Sequence, residues 1–378
     1  MNLERNSMVE LKTIGEILSV HTGKQLNRND LSDKGLYPVI NGGRTPSGYT
    51  DTPNEKQNTI TISQGGESAG YVNWIDTAFW AGAHCYVVEN KSNQNLRFLY
   101  HLLKNFEYVI MDSKQGAGIP GLNRKNLYSI SIPIPPLSEQ YRIVGILDTF
   151  SESIENLKKQ IAQRRKQYEY YRDQLLDLEG KPGVELMSMS ELFTFKNGLN
   201  KGKEFFGSGK PIIMFSNVFN SRYLKSSMIT NRVDITDKEL ERIDAKIGDV
   251  FFTRTSETKE DVGYSSVLLE DVGDCSFAGF LIRARPLTDK LIPSYCKYCF
   301  SSPNIRNSIV GNSSFTTRAS LTGSGLGKID LPIPSPSQQS RIVSILDAFE
   351  ESITNLEAQL SLRQKQYEYY RNKLLTFE

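Results

Sequence analysis

The stretch RRKQYEYYRDQLL, Arg164–Leu176, is written again near the C-terminus as RQKQYEYYRNKLL, Arg363–Leu375. Working outward from the two copies, the likeness extends over 132–179 and 331–378, where about 30 positions are identical, a density that marks an internal repeat rather than chance. Apolar side chains fall at Ile143, Leu147, Phe150, Ile154, Leu157, Ile161, Tyr168, Tyr171, Leu175 and Leu178. The second copy has Ile342, Leu346, Phe349, Ile353, Leu356, Leu360, Tyr367, Tyr370, Leu374 and Phe377. Steps of four and three residues alternate, which is the period of a coiled-coil seam. One seam position per copy is polar, Arg164 and Arg363. Glu169 with Arg172, and Glu368 with Arg371, lie one helical turn apart on the outer face, where they are expected to pair weakly.

Each copy opens on a proline ramp, IPIPPLSEQ or LPIPSPSQQ, whose prolines forbid helix and set an extended approach. Ser138 and Ser337 are the expected N-caps. A helix of roughly 40 residues would run about 60 Å. It cannot bury its stripe alone, so the two copies are each other's expected partners. EGKPG, Glu179–Gly183, reads as a helix stop and turn between them. An antiparallel pair would give the chain an approximate two-fold axis.

Upstream a weaker repeat aligns Val9-Glu10-Leu11 with Val184-Glu185-Leu186, and Glu16 to Gly23 with Glu191 to Gly198. Its spacing is shorter than that of the helices, so the variable part of the second half carries about 24 extra residues. The variable units, 9–131 and 184–330, read as mixed α/β, with strand-like NTITIS, HCYVV, DVFFTR and GFLIRA between the turns NGGRTPSGY and SQGGESAGY. Each ends in a helical stretch, NLRFLYHLLKNFEYVI or PSYCKYCFSSPNIRNSIV.

A length of 378 residues fits about two domains. With 45 Lys and Arg against 43 Asp and Glu, the net charge announces no partner, and any charged site must come from patterning. No run approaches the apolar length of a membrane span and no signal segment opens the chain, so a soluble, cytoplasmic protein is expected. Four cysteines form no disulfide framework.

The familiar catalytic signatures fail one by one. Cys296-x-x-Cys299 has no second Cys/His pair at metal spacing and reads as buried apolar cysteine. GSGLGK, Gly323–Lys328, lacks the first glycine of a phosphate loop and has Ile329 where Ser or Thr is needed, so it reads as a flexible loop. Asp249 with Glu257-Thr258-Lys259 resembles a nuclease carboxylate set, without a match in the first half. His21, His84 and His101 show no nucleophile or base partner. What stays is a glycine-rich polar surface. Its cations and amides are Lys24, Arg44, Gln64, Lys114 and Gln115 in the first unit, and Lys201, Lys203, Arg222, Arg254, Lys259 and Arg318 in the second. Arg and Lys hold phosphate or read guanine, while Gln reads adenine. Taken singly, each is an ordinary solvated residue; together, two unlike loop-rich heads on matched rods look built to read two different things.

The plan as a whole resembles the specificity subunits of type I restriction-modification systems. The marks are the twin ramps PPLSEQYRIVGILD and PSPSQQSRIVSILD, the helices ending in QYEYYR, and the phrases GDVFFTRTSET and NGG with PSGY. The second ramp departs slightly, with Gln338 where the first has Glu139. The resemblance implies an α/β (α+β) fold: two mixed α/β target-recognition domains, 1–131 and 181–330, each followed by a ramp and spacer helix, 132–180 and 331–378, with the helices paired as an antiparallel coiled coil. It implies that each domain reads one half of a bipartite double-stranded DNA site and that the helix pair sets the gap. It further implies a non-catalytic chain without a cofactor of its own. S-adenosylmethionine belongs to a methyltransferase partner, expected in two copies, and restriction/translocase subunits complete the complex. A homodimer of the isolated chain through its rods is left open beside a monomer. Two rival readings are a self-contained metal-dependent nuclease using Asp249, Glu257 and Lys259, and a coiled-coil adaptor with no DNA role.

Overall fold

The computed structural model describes residues 9–115 and 120–377. The chain divides into two compact units, one made of 1–159 with 357–378 and the other of 160–356. The elements of the first head are β1 (Glu10–Thr13), α1 (Ile14–Ile17), β2 (Leu18–Thr22), β3 (Tyr37–Ile40), β4 (Tyr49–Thr50), β5 (Thr59–Ser63), β6 (Val72–Ile75), β7 (Trp80–Ala81), β8 (Cys85–Asn90), α2 (Leu96–Asn105), α3 (Glu107–Asp112), α4 (Arg124–Ser129) and β9 (Ser131–Ile134). The long helix α5 (Leu137–Leu176) follows. The second head contains β10 (Glu185–Ser188), α6 (Met189–Leu192), β11 (Phe193–Asn197), β12 (Phe206–Ile213), α7 (Phe215–Asn220), β13 (Tyr223–Leu224), β14 (Arg232–Val233), α8 (Asp237–Ile243), β15 (Val250–Thr253), β16 (Thr255–Ser256) and β17 (Ser265–Leu268). It continues with β18 (Ser276–Phe277), β19 (Leu281–Pro286), α9 (Pro293–Cys299), α10 (Pro303–Gly311), β20 (Ser314–Phe315), β21 (Ala319–Ser320), α11 (Gly323–Gly327) and β22 (Asp330–Ile333). The second long helix, α12 (Pro336–Leu375), closes the chain.

The sheet orders of the two heads correspond. The first has β2-β8-β5-β6 and the second β11-β19-β15-β17-β13, each with antiparallel pairing along the equivalent strands. Beside these lie β4-β3-β7 and β14-β12-β18, where β3 runs parallel to β7 and β12 to β18. The ramps take the same register in both: Glu10 faces Ile134 across β1 and β9, and Glu185 faces Ile333 across β10 and β22. The strand-like runs read in the sequence become β5, β8, β15 and β19. Thr59–Ser63 is buried along its whole length, which suits a β-branched strand sandwiched on both faces.

The two long helices pair half by half. In the first unit the N-terminal part of α5 joins the C-terminal part of α12: Ile143 and Leu147 are fully buried in one core with Leu375, Phe98, Leu99 and Leu102. Phe150 stacks on Tyr370 at 5.2 Å, and the guanidinium of Arg363 lies 5.6 Å from the Phe150 ring. In the second unit Ile342 and Leu346 enter the core with Tyr295 and Tyr298, Phe349 stacks on Tyr171 at 5.5 Å, and Arg164 lies 5.8 Å from Phe349. Each helix thus gives its first half to one unit and its second half to the other, which is the antiparallel arrangement. The polar seam positions are filled by arginines lying over aromatic faces.

Burial along the seam is uneven. Leu147, Leu346 and Ile161 are buried, and Ile154, Leu157, Ile353, Leu356, Leu360, Tyr168 and Tyr367 are half-buried. Tyr171 and Tyr370 stay 44% and 40% exposed, stacked on phenylalanines rather than enclosed. The helix starts differ from expectation. Ser138 and Ser337 sit inside the first turn; the amides of Glu139 and Gln140 bond to the Pro136 carbonyl, and the Ser335 hydroxyl accepts from the amide of Gln338. Proline at the first helical position is tolerated because its missing N–H would be an orphan there. Arg172 pairs with Asp173 at 2.7 Å, not with Glu169, and Arg371 lies over the Tyr367 ring. EGKPG is the expected stop: α5 ends at Leu176, and Gly180 and Gly183 adopt φ of +70° and +77°. Gly323–Gly327, expected as a loop, is the short helix α11, capped by the Thr322 hydroxyl on the Gly325 amide at 3.0 Å.

All four cysteines are free and buried. Burial pushes the Cys299 thiol up to about 12, as expected of inert core cysteines.

Candidate nucleic-acid interface

At one edge of the first head's main sheet, β2 and β5 end and β8 begins, and the connecting loops are tied together by backbone bonds. The amide of Lys24 donates to Ala81 at 2.8 Å, and the Trp80 indole donates to the Lys24 carbonyl at 2.9 Å. The amide of Gln64 donates to the His84 carbonyl at 2.9 Å, and its carbonyl accepts from Leu122 at 2.7 Å. Gln115 and Gly121 exchange two bonds of 2.9 Å. Asn41, the first residue of NGG, accepts the His84 amide on its side chain at 2.9 Å. Lys24, Gln64 and Gln115 are therefore gathered on one rim, and the loop carrying Arg44 leaves from Asn41 beside it. Lys24 and Arg44 are exposed, and Arg44 lies 5.6 Å from the Tyr71 ring. Lys114 sits half-buried at the end of α3.

The rim requires glycine where backbones touch. A Cβ at Gly23 would lie 2.2 Å from the Ala81 carbonyl oxygen, and one at Gly198 would lie 2.1 Å from that of Ala278. The two heads close the same junction in the same way.

In the second head Arg254 joins β15 to the small sheet β16-β21-β20, Lys259 lies on the connection that leaves β16, and Arg318 lies in the turn between β20 and β21. Lys259 is exposed; Arg318 reaches Glu257 only loosely, at 3.9 Å, with both side chains largely in solvent. Such a pair contributes little and leaves the cation available. Lys203 is exposed in a short turn at Lys203–Phe205. Lys201 is held instead, donating to Glu239 at 2.9 Å and to the Asp234 carbonyl at 3.0 Å. Arg222 stands apart from the rim: it donates to the Tyr168 hydroxyl at 2.8 Å, pairs with Glu350 on α12, and lies over the Tyr298 ring.

The carboxylates weighed as a nuclease set do not converge. Asp249 is 1% exposed and is gripped by Arg285 through two bonds of 2.9 and 2.7 Å, with the Lys246 amide at 2.7 Å. Glu257 is exposed on a loop, paired loosely with Arg318. The buried aspartate anchors the sheet edge, and no group of three metal-ligating side chains lies together among the described residues.

Sequence reasoning passed over several exposed aromatic groups. Phe280, whose carbonyl accepts the Arg254 amide, is 62% exposed, and Phe315 on β20 is 52% exposed. Phe219 packs edge-on against Tyr264 at 5.0 Å. The signal was available in GFLIRA, whose phenylalanine precedes the strand and so falls on its loop.

Beneath each rim, one motif fixes the head to its helix. Gln140, fully buried, accepts from the Asn95 amide at 2.9 Å and donates to the Pro135 carbonyl at 2.8 Å. Gln339 repeats this with the Ile292 amide at 2.9 Å and the Pro334 carbonyl at 2.9 Å. The Ser-x-Gln of both ramps is thus a clamp between ramp, long helix and the start of α2 or α9. Two turns of helix further, Asp148 takes Arg97 and His101, each at 2.8 Å, while Asp347 takes Lys297 at 2.6 Å and Tyr298 at 2.5 Å. Burial raises the Asp148 pKa, but the bonds from His101 and Arg97 outweigh it and hold the carboxyl below its usual range. Burial pushes His101 down and Tyr298 up.

The family model described as type I restriction modification DNA specificity domain matches the chain twice, over residues 6–164 and 182–363. The chain belongs to this family. A provisionally named type I restriction enzyme specificity subunit of Haemophilus influenzae is 29% identical over 393 residues, covering 99% of this chain and 97% of that one. The EcoR124I/EcoR124II specificity subunit of Escherichia coli is 27% identical, covering 98% and 94%. Among solved structures, the S subunit of a type I restriction-modification system from M. genitalium superposes with a TM-score of 0.66 at 20% identity, covering 97% of this chain and 96% of that one. That likeness establishes the tandem fold of this specificity-subunit chain. No helix among the described residues is long and apolar enough to cross a membrane.

Proposed function

We propose that the chain is the DNA-sequence-specificity component of a type I restriction-modification complex and that each head, 1–131 and 181–330, reads one half of a bipartite duplex site. The observation that carries this is the shared rim: two loop clusters on corresponding sheet edges, built from the same backbone bonds but bearing different side chains. One scaffold with two unlike reading surfaces suits two unlike half-sites. The paired halves of α5 and α12 act as the spacer between them, and the clamps at Gln140 and Gln339 hold each head to its own helix. In this reading Lys24, Arg44, Lys203, Lys259 and Arg318 meet phosphate, and Arg222 serves the helix pair rather than DNA.

The chain supplies specificity and leaves the chemistry to methyltransferase subunits, two in number to match the two-fold repeat, which bind S-adenosylmethionine and take the target base out of the duplex. Restriction/translocase subunits join the same assembly. Work in the cytoplasm, where host DNA lies, follows. The test is retention of duplex DNA by the chain with its methyltransferase partner. Selection of a bipartite site, with affinity falling steeply as salt rises, is the expected result. Equal retention of all duplexes, or metal-dependent cleavage by the purified chain alone, would contradict it.

A further inference from the structure

The two heads share one position that their sequences conceal. In the first, Ser63 at the end of β5 pairs with Cys85, and the next residue is Gln64. In the second, Thr253 at the end of β15 pairs with Leu281, and the next residue is Arg254. The Gln64 amide donates to His84 at 2.9 Å and its carbonyl accepts from Leu122 at 2.7 Å; the Arg254 amide donates to Phe280 at 2.8 Å and its carbonyl accepts from Leu321 at 2.9 Å. Asn123 and Thr322, one residue beyond those leucines, cap the corresponding helices α4 and α11. Gln64 and Arg254 therefore occupy the same backbone slot.

Both side chains are half-buried, and neither makes a side-chain hydrogen bond or ion pair among the described residues. For an arginine this is unusual, because a partly desolvated guanidinium calls for oxygen partners. The other half-buried or buried arginines of the second head have them: Arg222 holds Tyr168 and Glu350, Arg283 and Arg285 hold Asp244, and Arg306 holds backbone carbonyls. Arg254 alone among these five is left with its five donors unassigned.

We propose that Gln64 and Arg254 are corresponding base-reading residues, Gln64 for an adenine in the half-site of the first head and Arg254 for a guanine in that of the second. This rests on the reading of the heads as recognisers of duplex DNA. The amide of glutamine presents one donor and one acceptor that match N7 and N6 of adenine, and the guanidinium presents two parallel donors that match O6 and N7 of guanine. Backbone bonds on both sides of each residue fix where the side chain starts, so that only side-chain rotation is lost on binding. The flanking groups differ as a variable surface would: His84 and glycines beside Gln64, Phe280 and hydroxyl residues beside Arg254.

The experiment assembles the full chain with its methyltransferase subunit and sequences the sites that become methylated, for the wild type and for Gln64→Ala, Arg254→Lys and the exchanges Gln64→Arg and Arg254→Gln. Gln64→Ala is expected to relax one adenine position of one half-site by about tenfold, the scale of one bidentate base contact, and to leave the other half-site intact. Arg254→Lys keeps the charge but loses the fork, so it relaxes one guanine position of the other half-site. The exchange variants place a side chain that the corresponding slot already accommodates, and they move the preference at the same positions towards guanine and adenine respectively. If the wild type selects a bipartite site and every variant selects the identical one, the assignment is overturned while the function of the heads stands. Relaxation spread over several positions or both half-sites also overturns it, because that is loosened packing. A wild-type complex with no sequence selection overturns the function and the assignment together.

Discussion

Gln140 and Gln339 are the same residue making the same bonds, whereas Gln64 and Arg254 are different residues in the same backbone slot. The contrast separates what the chain must repeat from what it is free to vary. Where a head meets its helix, buried amides and carbonyls admit one solution, and the sequence repeats it. Where a rim faces solvent, the backbone alone carries the fold and the side chain is released for recognition.

This division can be broken in measurable ways. Leu147→Ala and Leu346→Ala remove fully buried seam leucines at corresponding places, and each is expected to cost about 3 kcal/mol by denaturant unfolding. Leu157→Ala and Leu356→Ala, at half-buried seam positions, should cost about 1 kcal/mol. Equal costs at the two depths would contradict the uneven seam.

Gln140→Ala and Gln339→Ala each strand a buried amide and a buried carbonyl, so a loss of about 2 kcal/mol is expected for either. Hydrogen exchange should show the loss at the start of α2 for the first and of α9 for the second. A loss in one unit only would mean that the two clamps are not equivalent.

The heads should also differ towards acid. Both His101 and Asp148 bind protons more weakly in the folded chain than in the unfolded one. The unfolded state therefore gains protons first as pH falls, and the first unit loses stability, beginning near pH 6.5, where free histidine titrates, and continuing through the carboxylate range. The second unit has Tyr298 where the first has His101. Its raised pKa contributes stability below about pH 10 that is lost as the solution becomes more alkaline. Hydrogen exchange of 96–105 and 293–299 across pH should show opposite sensitivities; acid loss of equal size in both would contradict the assignment. The smallest effect is expected from Arg222→Ala, about 1 kcal/mol of stability with an unchanged DNA site, since its ion pair with Glu350 is partly exposed.

The repeated helix was fully legible, because a period of three and four residues is enforced by the helix itself. The clamp was visible as Ser-x-Gln, yet Ser138 and Ser337 attracted the capping role although the Pro136 carbonyl and the Ser335 hydroxyl take the first amides and the glutamine is the buried partner. GSGLGK misled in another way: glycine content suggested a loop, but the Thr322 cap and burial of Leu326 carry one turn and a half of helix. The seam tyrosines were placed correctly along the helix, but stacking on Phe150 and Phe349 satisfies them without enclosure. Of the rim, residue types could be proposed but not their grouping. Gln64 and Arg254 correspond at a spacing that matches neither the upstream repeat nor the helices, because loops of different length intervene. Arg222 looked like its neighbours in the list of cations until Tyr168 and Glu350 claimed it.

The central claim, that two matched heads read two different half-sites, is tested most directly by sequencing the methylated sites made by the chain with its methyltransferase partner. The account predicts a bipartite motif with two unlike specific parts across a fixed gap. A single continuous motif, or methylation without sequence preference, would contradict it.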